Sequence, residues 1–123
     1  MRNLVKILKS LSDETRLRIV NMLMQRECCV CEIMQVLEIS QPRASHHLSA
    51  LYNAGLLKMR RAGLFALYEI DRENLSGYEM DLLRAVLKGM KGDKTAQSDL
   101  EKLKTVRKIL PTCGQTATLK SDN

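Results

Sequence analysis

Residues 39–68 read ISQPRASHHLSALYNAGLLKMRRAGLFALY. The stretch contains neither aspartate nor glutamate, although the chain of 123 residues carries 14 of them; Glu38 and Glu69 bound it. Arg43, His46, His47, Lys58, Arg60 and Arg61 lie inside it. Its first half has helical spacing, with Ala44, Leu48 and Leu51 on one face. Ser40 stands where an N-cap accepts from first-turn amides, and Pro42 is tolerated there because no intrahelical N–H bond is lost. Gly55 supplies the left-handed residue that ends such a helix. Past Gly55 the apolar residues alternate. Leu57–Arg60 and Phe65–Ile70 read as two strands, residues 61–64 as their turn, and Gly63 as its position of positive φ. A helix and a hairpin cleared of negative charge form a surface that a phosphate backbone does not repel. A chance gap in a basic protein is the weaker reading, because the order of elements points the same way.

Upstream, Leu4, Ile7, Leu8 and Leu11 predict a first helix over residues 2–10. Ser12 is the expected N-cap of a second, with Asp13 and Glu14 in its first turn and Leu17, Val20, Leu23 and Met24 as its apolar face. Val30, Ile33, Met34 and Leu37 predict a short third helix. Downstream, Leu75, Leu82, Leu83, Val86, Leu87 and Met90 predict a long helix, and residues 91–97 a polar linker. Leu100, Leu103, Val106, Ile109 and Leu110 predict a last helix over residues 98–110, which Pro111 stops. The expected organisation is a DNA-binding and dimerisation domain over residues 1–92, then a C-terminal extension over 93–123 with one helix and a flexible tail. The fold class is mainly α with a small β-hairpin, a winged helix-turn-helix. The stripes Leu4, Leu8, Leu11 and Leu82, Leu83, Val86, Leu87, Met90 exceed what one small domain buries, which predicts a symmetric homodimer.

Composition narrows the partner. A net charge of +6 and a pI near 9.3 favour an anionic one. No apolar run approaches the length of a membrane span, and the N-terminal stretch lacks a small-residue cleavage site, so the expected location is the cytoplasm. The four cysteines are then expected as thiols. With one phenylalanine, three tyrosines and no tryptophan, a stacking platform for single strands is disfavoured, and double-stranded DNA is the better polyanion. No phosphate-binding glycine loop and no nucleophile with a recognisable base are present, so an enzyme is not expected.

With Ala44, Leu48 and Leu51 turned to the core, Gln41, Arg43, Ser45, His46 and Ser49 are left facing outward or towards the helix N-terminus. These side chains have the length and hydrogen-bonding groups that read base edges in a major groove. Arg60 and Arg61 on the hairpin are placed to meet backbone or minor groove. A merely solvated polar face is the competing reading, but such a face mixes acids with bases and this one has no acids. One histidine is expected as a polar DNA contact and the other as a packed or solvated ring.

The strings LSDETRLRIVNML (11–23), CVCEI (29–33) and ISQPRASHHLSALYNAGLL (39–57), then a basic hairpin ending YEI (68–70), resemble the ArsR/SmtB metal-responsive repressors. The resemblance covers roughly residues 4–90. It implies a homodimer, formed by the first and the long helix, that binds a two-fold operator and leaves it when an inducer binds. Cys29-Val30-Cys31 is similar to the family's paired cysteines, which bind trivalent arsenic or antimony. The arsenic pattern has another cysteine three residues after the pair, where this chain has Met34. The family's zinc sensors use a histidine on the long helix, and residues 73–92 contain none. Its cadmium and lead sensors add cysteines nearer the N-terminus, and none precedes Cys28.

Thiolates select soft, thiophilic ions. Cys28, Cys29 and Cys31 are expected at the start of the third helix, where the dipole lowers a thiol pKa. Helical residues two apart diverge, so Cys29 and Cys31 could share an ion only if the first turn unwinds, whereas Cys28 and Cys31 could do so with less distortion. The third thiolate is therefore Cys28, or Cys113 folding back, or absent, with Cys28 ahead because its loop closure costs less. Three alternatives to the arsenic site stay open: a redox or persulfide sensor, a sensor of another soft metal ion, and a cluster of small buried apolar residues.

Overall fold

A computed structural model describes residues 1–107. In chain order the elements are α1 (Arg2–Leu11), α2 (Glu14–Gln25), β1 (Cys28–Cys29), α3 (Val30–Leu37), α4 (Gln41–Asn53), β2 (Leu57–Ala62), β3 (Phe65–Ile70), α5 (Gly77–Met90) and α6 (Lys94–Leu103). The strands form one antiparallel sheet in the order β1-β3-β2. This is the winged helix-turn-helix expected: α3 and α4 joined by a tight turn, then a hairpin.

The core explains the spacing of the apolar residues. Ile19, Val20, Met22 and Leu23 of α2 meet Ile33 and Val36 of α3, Ala44, Leu48 and Leu51 of α4, and Leu83 of α5. The turn between α3 and α4 needs a left-handed residue, and Glu38 takes φ +55, the only non-glycine among the described residues with positive φ. Ser40 caps α4, its Oγ accepting from the Arg43 N–H at 3.3 Å. Gly55 follows α4 at φ +86. Gly63 opens the hairpin turn at φ +61, as a tight primed turn with glycine first requires.

Four expectations need correcting. The N-cap of α2 is Asp13, whose carboxylate accepts from the Arg16 N–H at 3.0 Å; Ser12 ends α1. β2 runs to Ala62, so Arg61 lies in the strand opposite Ala66 rather than in the turn. A third strand, β1, pairs with β3 through Cys28↔Tyr68 and Cys29↔Leu67. The last helix begins at Lys94 rather than 98, because Asp93 caps it at 2.9 Å from the Ala96 N–H, and it ends at Leu103. The expected continuation fails at residues 104–107, which are not helical, and its remainder to 110, the stop at Pro111 and the tail lie outside the described residues.

α6 is held against the helix-turn-helix by polar contacts. Arg18 of α2 forms a bidentate pair with Asp99, two bonds of 2.8 Å, and Asp99 is 1% exposed. Arg26 joins the buried Glu32 carboxylate at 3.1 Å and the Leu103 carbonyl at 3.1 Å. Gln35 Nε2 donates to the carbonyls of Cys31 (3.1 Å) and Arg107 (2.8 Å). Apolar surface is left uncovered elsewhere. On α1, Val5 and Leu8 are 43% and 47% exposed. On α5 only Leu83 is buried, while Leu82, Val86, Leu87 and Met90 are half-covered. Leu11, assigned to the same stripe, belongs to the core. No helix among the described residues is long and apolar enough to cross a membrane.

Candidate DNA-contacting face and cysteine site

α4 presents its polar residues as its spacing requires. Arg43, His46 and Ser49 are exposed, and Gln41 and Ser45 are half-buried. Gln41 Nε2 donates to Ser45 Oγ at 2.8 Å, so the two form one unit at the start of the helix. The two histidines differ in exposure. His46 points out, whereas His47 is buried at the junction of α1, α2 and α4. His47 Nδ1 lies 3.2 Å from an Arg16 nitrogen, and Arg16 Nε donates to the Ser10 carbonyl at 2.6 Å. Burial pushes the His47 pKa down, with the positive charge of Arg16 acting the same way against the pull of Asp13. An unprotonated ring at pH 7 is therefore a structural part, not a cation for DNA. Neither Arg16 nor Asp13 is marked by the sequence pattern as a support for α4.

The hairpin is less uniformly positive in space than in sequence. Arg60 is held by Glu27, with bonds of 2.5 and 3.1 Å. Lys58 pairs with Glu73 at 2.6 Å and lies 3.9 Å from Glu69. Both acids at closest range come from outside the acid-free stretch. Arg43 and Arg61 differ: among the described residues, neither has a carboxylate within ion-pair distance. They are the two arginines of the stretch whose charge is open to a phosphate. A cavity of about 240 Å³ lies between the N-terminus of α4 and the hairpin, and Gln41, Ser45, Arg61, Phe65 and Cys29 are in its wall.

The cysteines are not all on a helix. Cys28 and Cys29 form β1, and Cys29 is the N-cap of α3 with an extended backbone. An N-cap side chain is not on the helical spiral, so Cys29 reaches across the first turn to Cys31. The two Cα atoms are 5.4 Å apart and the sulfurs are joined as a disulfide. The pair therefore converges without unwinding the turn, and the expectation of free thiols does not hold for it. The buried Glu32 carboxylate accepts from the Cys29 N–H at 2.9 Å and fixes this arrangement. Cys28 is buried and outside the disulfide. Neighbours on a strand face opposite ways: Cys28 packs into the main core, while Cys29, Cys31 and Leu67 form a second, smaller cluster. This turns Cys28 away from the pair, against its ranking as the nearer third ligand. Cys113 lies outside the described residues. Among the described residues no three histidine, cysteine or acidic side chains gather into a metal-sized group.

Comparison with known proteins agrees with the fold. The pattern for bacterial regulatory proteins of the arsR family matches residues 13–59. The cadmium resistance transcriptional regulatory protein CadC homolog of Staphylococcus aureus is 39% identical over 74 residues, 59% of this chain but only 61% of its own length. The arsenical resistance operon repressor of Staphylococcus aureus is 32% identical over 97 residues, 73% of this chain and 93% of that protein. Among solved structures, a homodimeric winged helix-turn-helix DNA-binding domain from Mycobacterium bovis, a possible ArsR-family transcriptional regulator, superposes with a TM-score of 0.63 at 26% identity, covering 76% of this chain and 82% of that one. With its helix-turn-helix, its hairpin and this breadth of match, the chain belongs to the arsR family of bacterial regulatory proteins.

Proposed function

We propose that this chain is a homodimeric transcriptional repressor that binds double-stranded operator DNA and leaves it when trivalent arsenic or antimony takes the sulfurs of Cys29 and Cys31. The observation that carries the reading is the convergence of those two sulfurs at the start of α3, the helix that packs directly on α4. A soft ion gripping both reshapes the α3 N-terminus against the reading helix. To lower occupancy it must bind the DNA-incompetent form more tightly, typically by about 1–3 kcal/mol. Two proteins it resembles are named for arsenical and for cadmium resistance, so both ions belong in the test. Arg43, Gln41, Ser45, His46 and Ser49 contact bases or nearby phosphates, and Arg61 holds the backbone. Arg60 does so only by leaving Glu27. The half-covered faces of α1 and α5 meet those of a second copy.

Trivalent arsenic takes three sulfurs. Of the two remaining cysteines, Cys28 faces the opposite side of β1. Gln35 bonds the carbonyls of Cys31 and Arg107, six residues before Cys113 in the chain, so Cys113 is the third ligand proposed. The disulfide favours a second reading, a repressor gated by thiol oxidation or persulfide.

The experiment uses the full chain, reduced, and a labelled duplex selected by it from a random pool. Arsenite, antimonite, cadmium, zinc and a persulfide donor are added separately, and the oxidised protein is assayed alone. Release by arsenite or antimonite supports the first reading. Release only by oxidation or persulfide replaces it with the second. Sedimentation at micromolar concentration checks the dimer, and a monomer with and without duplex would refute it.

A further inference from the structure

Both cysteines of the joined pair are tied by hydrogen bonds to one segment outside the helix-turn-helix, the end of α6 and the residues just after it. From Cys29 the route starts at its N–H, which one oxygen of the buried Glu32 carboxylate accepts at 2.9 Å. The other Glu32 oxygen accepts from an Arg26 guanidinium nitrogen at 3.1 Å, and that same nitrogen donates to the Leu103 carbonyl at 3.1 Å. From Cys31 the route starts at its carbonyl, which accepts from Gln35 Nε2 at 3.1 Å; that nitrogen also donates to the Arg107 carbonyl at 2.8 Å. Leu103 is the last residue of α6 and lies in the main core. A third tie, Lys102 Nζ to Glu38 at 3.2 Å, joins the last turn of α6 to the turn before α4, but it is an exposed ion pair and therefore weak. The first two differ in kind. Each passes through a single side-chain nitrogen that holds a group at the cysteine turn and a carbonyl of residues 103–107 together.

Two sulfurs that grip one ion lie further apart than two sulfurs bonded to each other. Loading the pair therefore spreads the turn on which Glu32 and Gln35 take their hold. A nitrogen shared between two acceptors keeps both only while they hold their spacing. We infer that Gln35 and Arg26 are positioning residues that couple the Cys29–Cys31 site to the docking of residues 103–107: a soft ion on the pair undocks this segment, and the docked segment disfavours the ion. The inference rests on the proposed binding of a soft ion by the pair, and not on contact with DNA. Coupling of this kind is reciprocal, so its sign in one direction fixes the other. It gives the C-terminal extension a role separate from the ligand proposed at Cys113. The extension braces α2 and α3, and the firmness of that brace sets how readily the site loads.

The test uses the full-length chain with Cys113→Ser and, as probe, phenylarsine oxide, a trivalent arsenical that takes two thiols. Two As–S bonds form, the two thiol protons leave with the arsenic oxygen as water, and nothing is oxidised or reduced. Peptide mass mapping places the adduct on Cys29 and Cys31. Hydrogen exchange over residues 98–107 is then compared among the oxidised protein, the reduced protein and the adduct. Exchange is expected to be about tenfold faster in the adduct than in either other form, within the usual range of coupling between sites. Adding Gln35→Met should make this exchange fast in all three forms. It should also tighten phenylarsine oxide binding about fivefold, measured by competition with a small dithiol, because the cost of undocking is gone. A merely structural role for Gln35 would not tighten binding. Arg26→Met should act the same way; melting checks its fold, since it strands the buried Glu32, and Gln35→Met, at a half-buried uncharged position, stands without it. Asp93→Ala, which removes the cap at the far end of α6, should leave the affinity unchanged. Unchanged exchange over residues 98–107 in the mapped adduct, or no tighter binding in Gln35→Met, would overturn the inference while leaving the proposed site intact. Equal tightening by Asp93→Ala would also overturn it, because that end of α6 is not tied to the cysteines. Failure of the reduced chain to form the adduct on Cys29 and Cys31 would overturn both.

Discussion

Charges on the α4–hairpin face and charges between α2, α3 and α6 are handled in opposite ways. Between the helices each cation has a close carboxylate. Arg18 is locked to Asp99, and Arg26 to Glu32, with both acids nearly excluded from water. On the outer face Arg43 and Arg61 stand without acids, and Arg60 and Lys58 lean on acids that solvent also reaches. A buried charge without a partner is strongly destabilising, so the interior cannot leave one. A surface cation without a partner costs little, and it is the form that a phosphate can use. Partnered charge here marks architecture, and unpartnered charge marks the face proposed to bind DNA.

The largest effect should come from breaking the interior pattern. Asp99→Ala strands a half-buried guanidinium and unpins α6. It should cost about 2–4 kcal/mol of folding stability, since Arg18 keeps some contact with water. Denaturant melts read the loss directly, and the salt slope of duplex binding in the folded fraction should not change. If Asp99→Ala melts like wild type, the pair is not structural and the contrast between the two regions fails.

The outer face should behave in reverse. Arg43→Ala should weaken binding to the preferred duplex by about 1–3 kcal/mol if the side chain reads a guanine, with no change in melting. Arg61→Ala should weaken all sequences alike and lower the salt slope by about 0.9. Arg60→Ala should do less, because its charge is already shared with Glu27. Glu27→Gln sharpens the point: it releases Arg60 and should tighten binding to every sequence. Equal losses in Arg60→Ala and Arg61→Ala would show that the ion pair with Glu27 does not decide which arginine is available.

A smaller effect tests the seam between the regions. The folded pKa of His47 is below its ordinary 6.5, chiefly through burial. The unfolded chain therefore takes up this proton first as pH falls. Stability from this residue is complete above the unfolded value and declines as pH drops through 6.5 towards the lower folded value. Melting temperatures between pH 8 and 5 should show this decline, and His47→Gln should flatten it. A decline unchanged in His47→Gln would assign it to other groups.

How much was legible in the sequence follows from what each signal depends on. α4 and the hairpin carry period, cap and glycine signals within about 30 residues, and such local signals survive folding. Partners did not show. Glu27 and Arg60 are 33 residues apart, and only the β1–β3 pairing brings them together. A two-residue strand has no period, so β1 was hidden, and with it the N-cap conformation of Cys29 that lets it meet Cys31. The start of α6 was hidden because residues 91–97 are polar and contain a glycine. Its cap at Asp93 and its tether through Asp99 depend on α2, which no local pattern reveals. The candidate site was thus readable as residue types, but the division between Cys28 and the Cys29–Cys31 pair was not.

The central claim is that Cys29 and Cys31 together gate DNA binding. Its most direct measurement is arsenite-driven release of a labelled duplex from reduced wild type and from Cys29→Ser, Cys31→Ser, Cys28→Ser and Cys113→Ser, read by fluorescence anisotropy. The account predicts that all five proteins bind the duplex, that Cys29→Ser and Cys31→Ser no longer release it, that Cys28→Ser responds like wild type, and that Cys113→Ser needs more arsenite. Full release from both Cys29→Ser and Cys31→Ser at the wild-type arsenite concentration would contradict it.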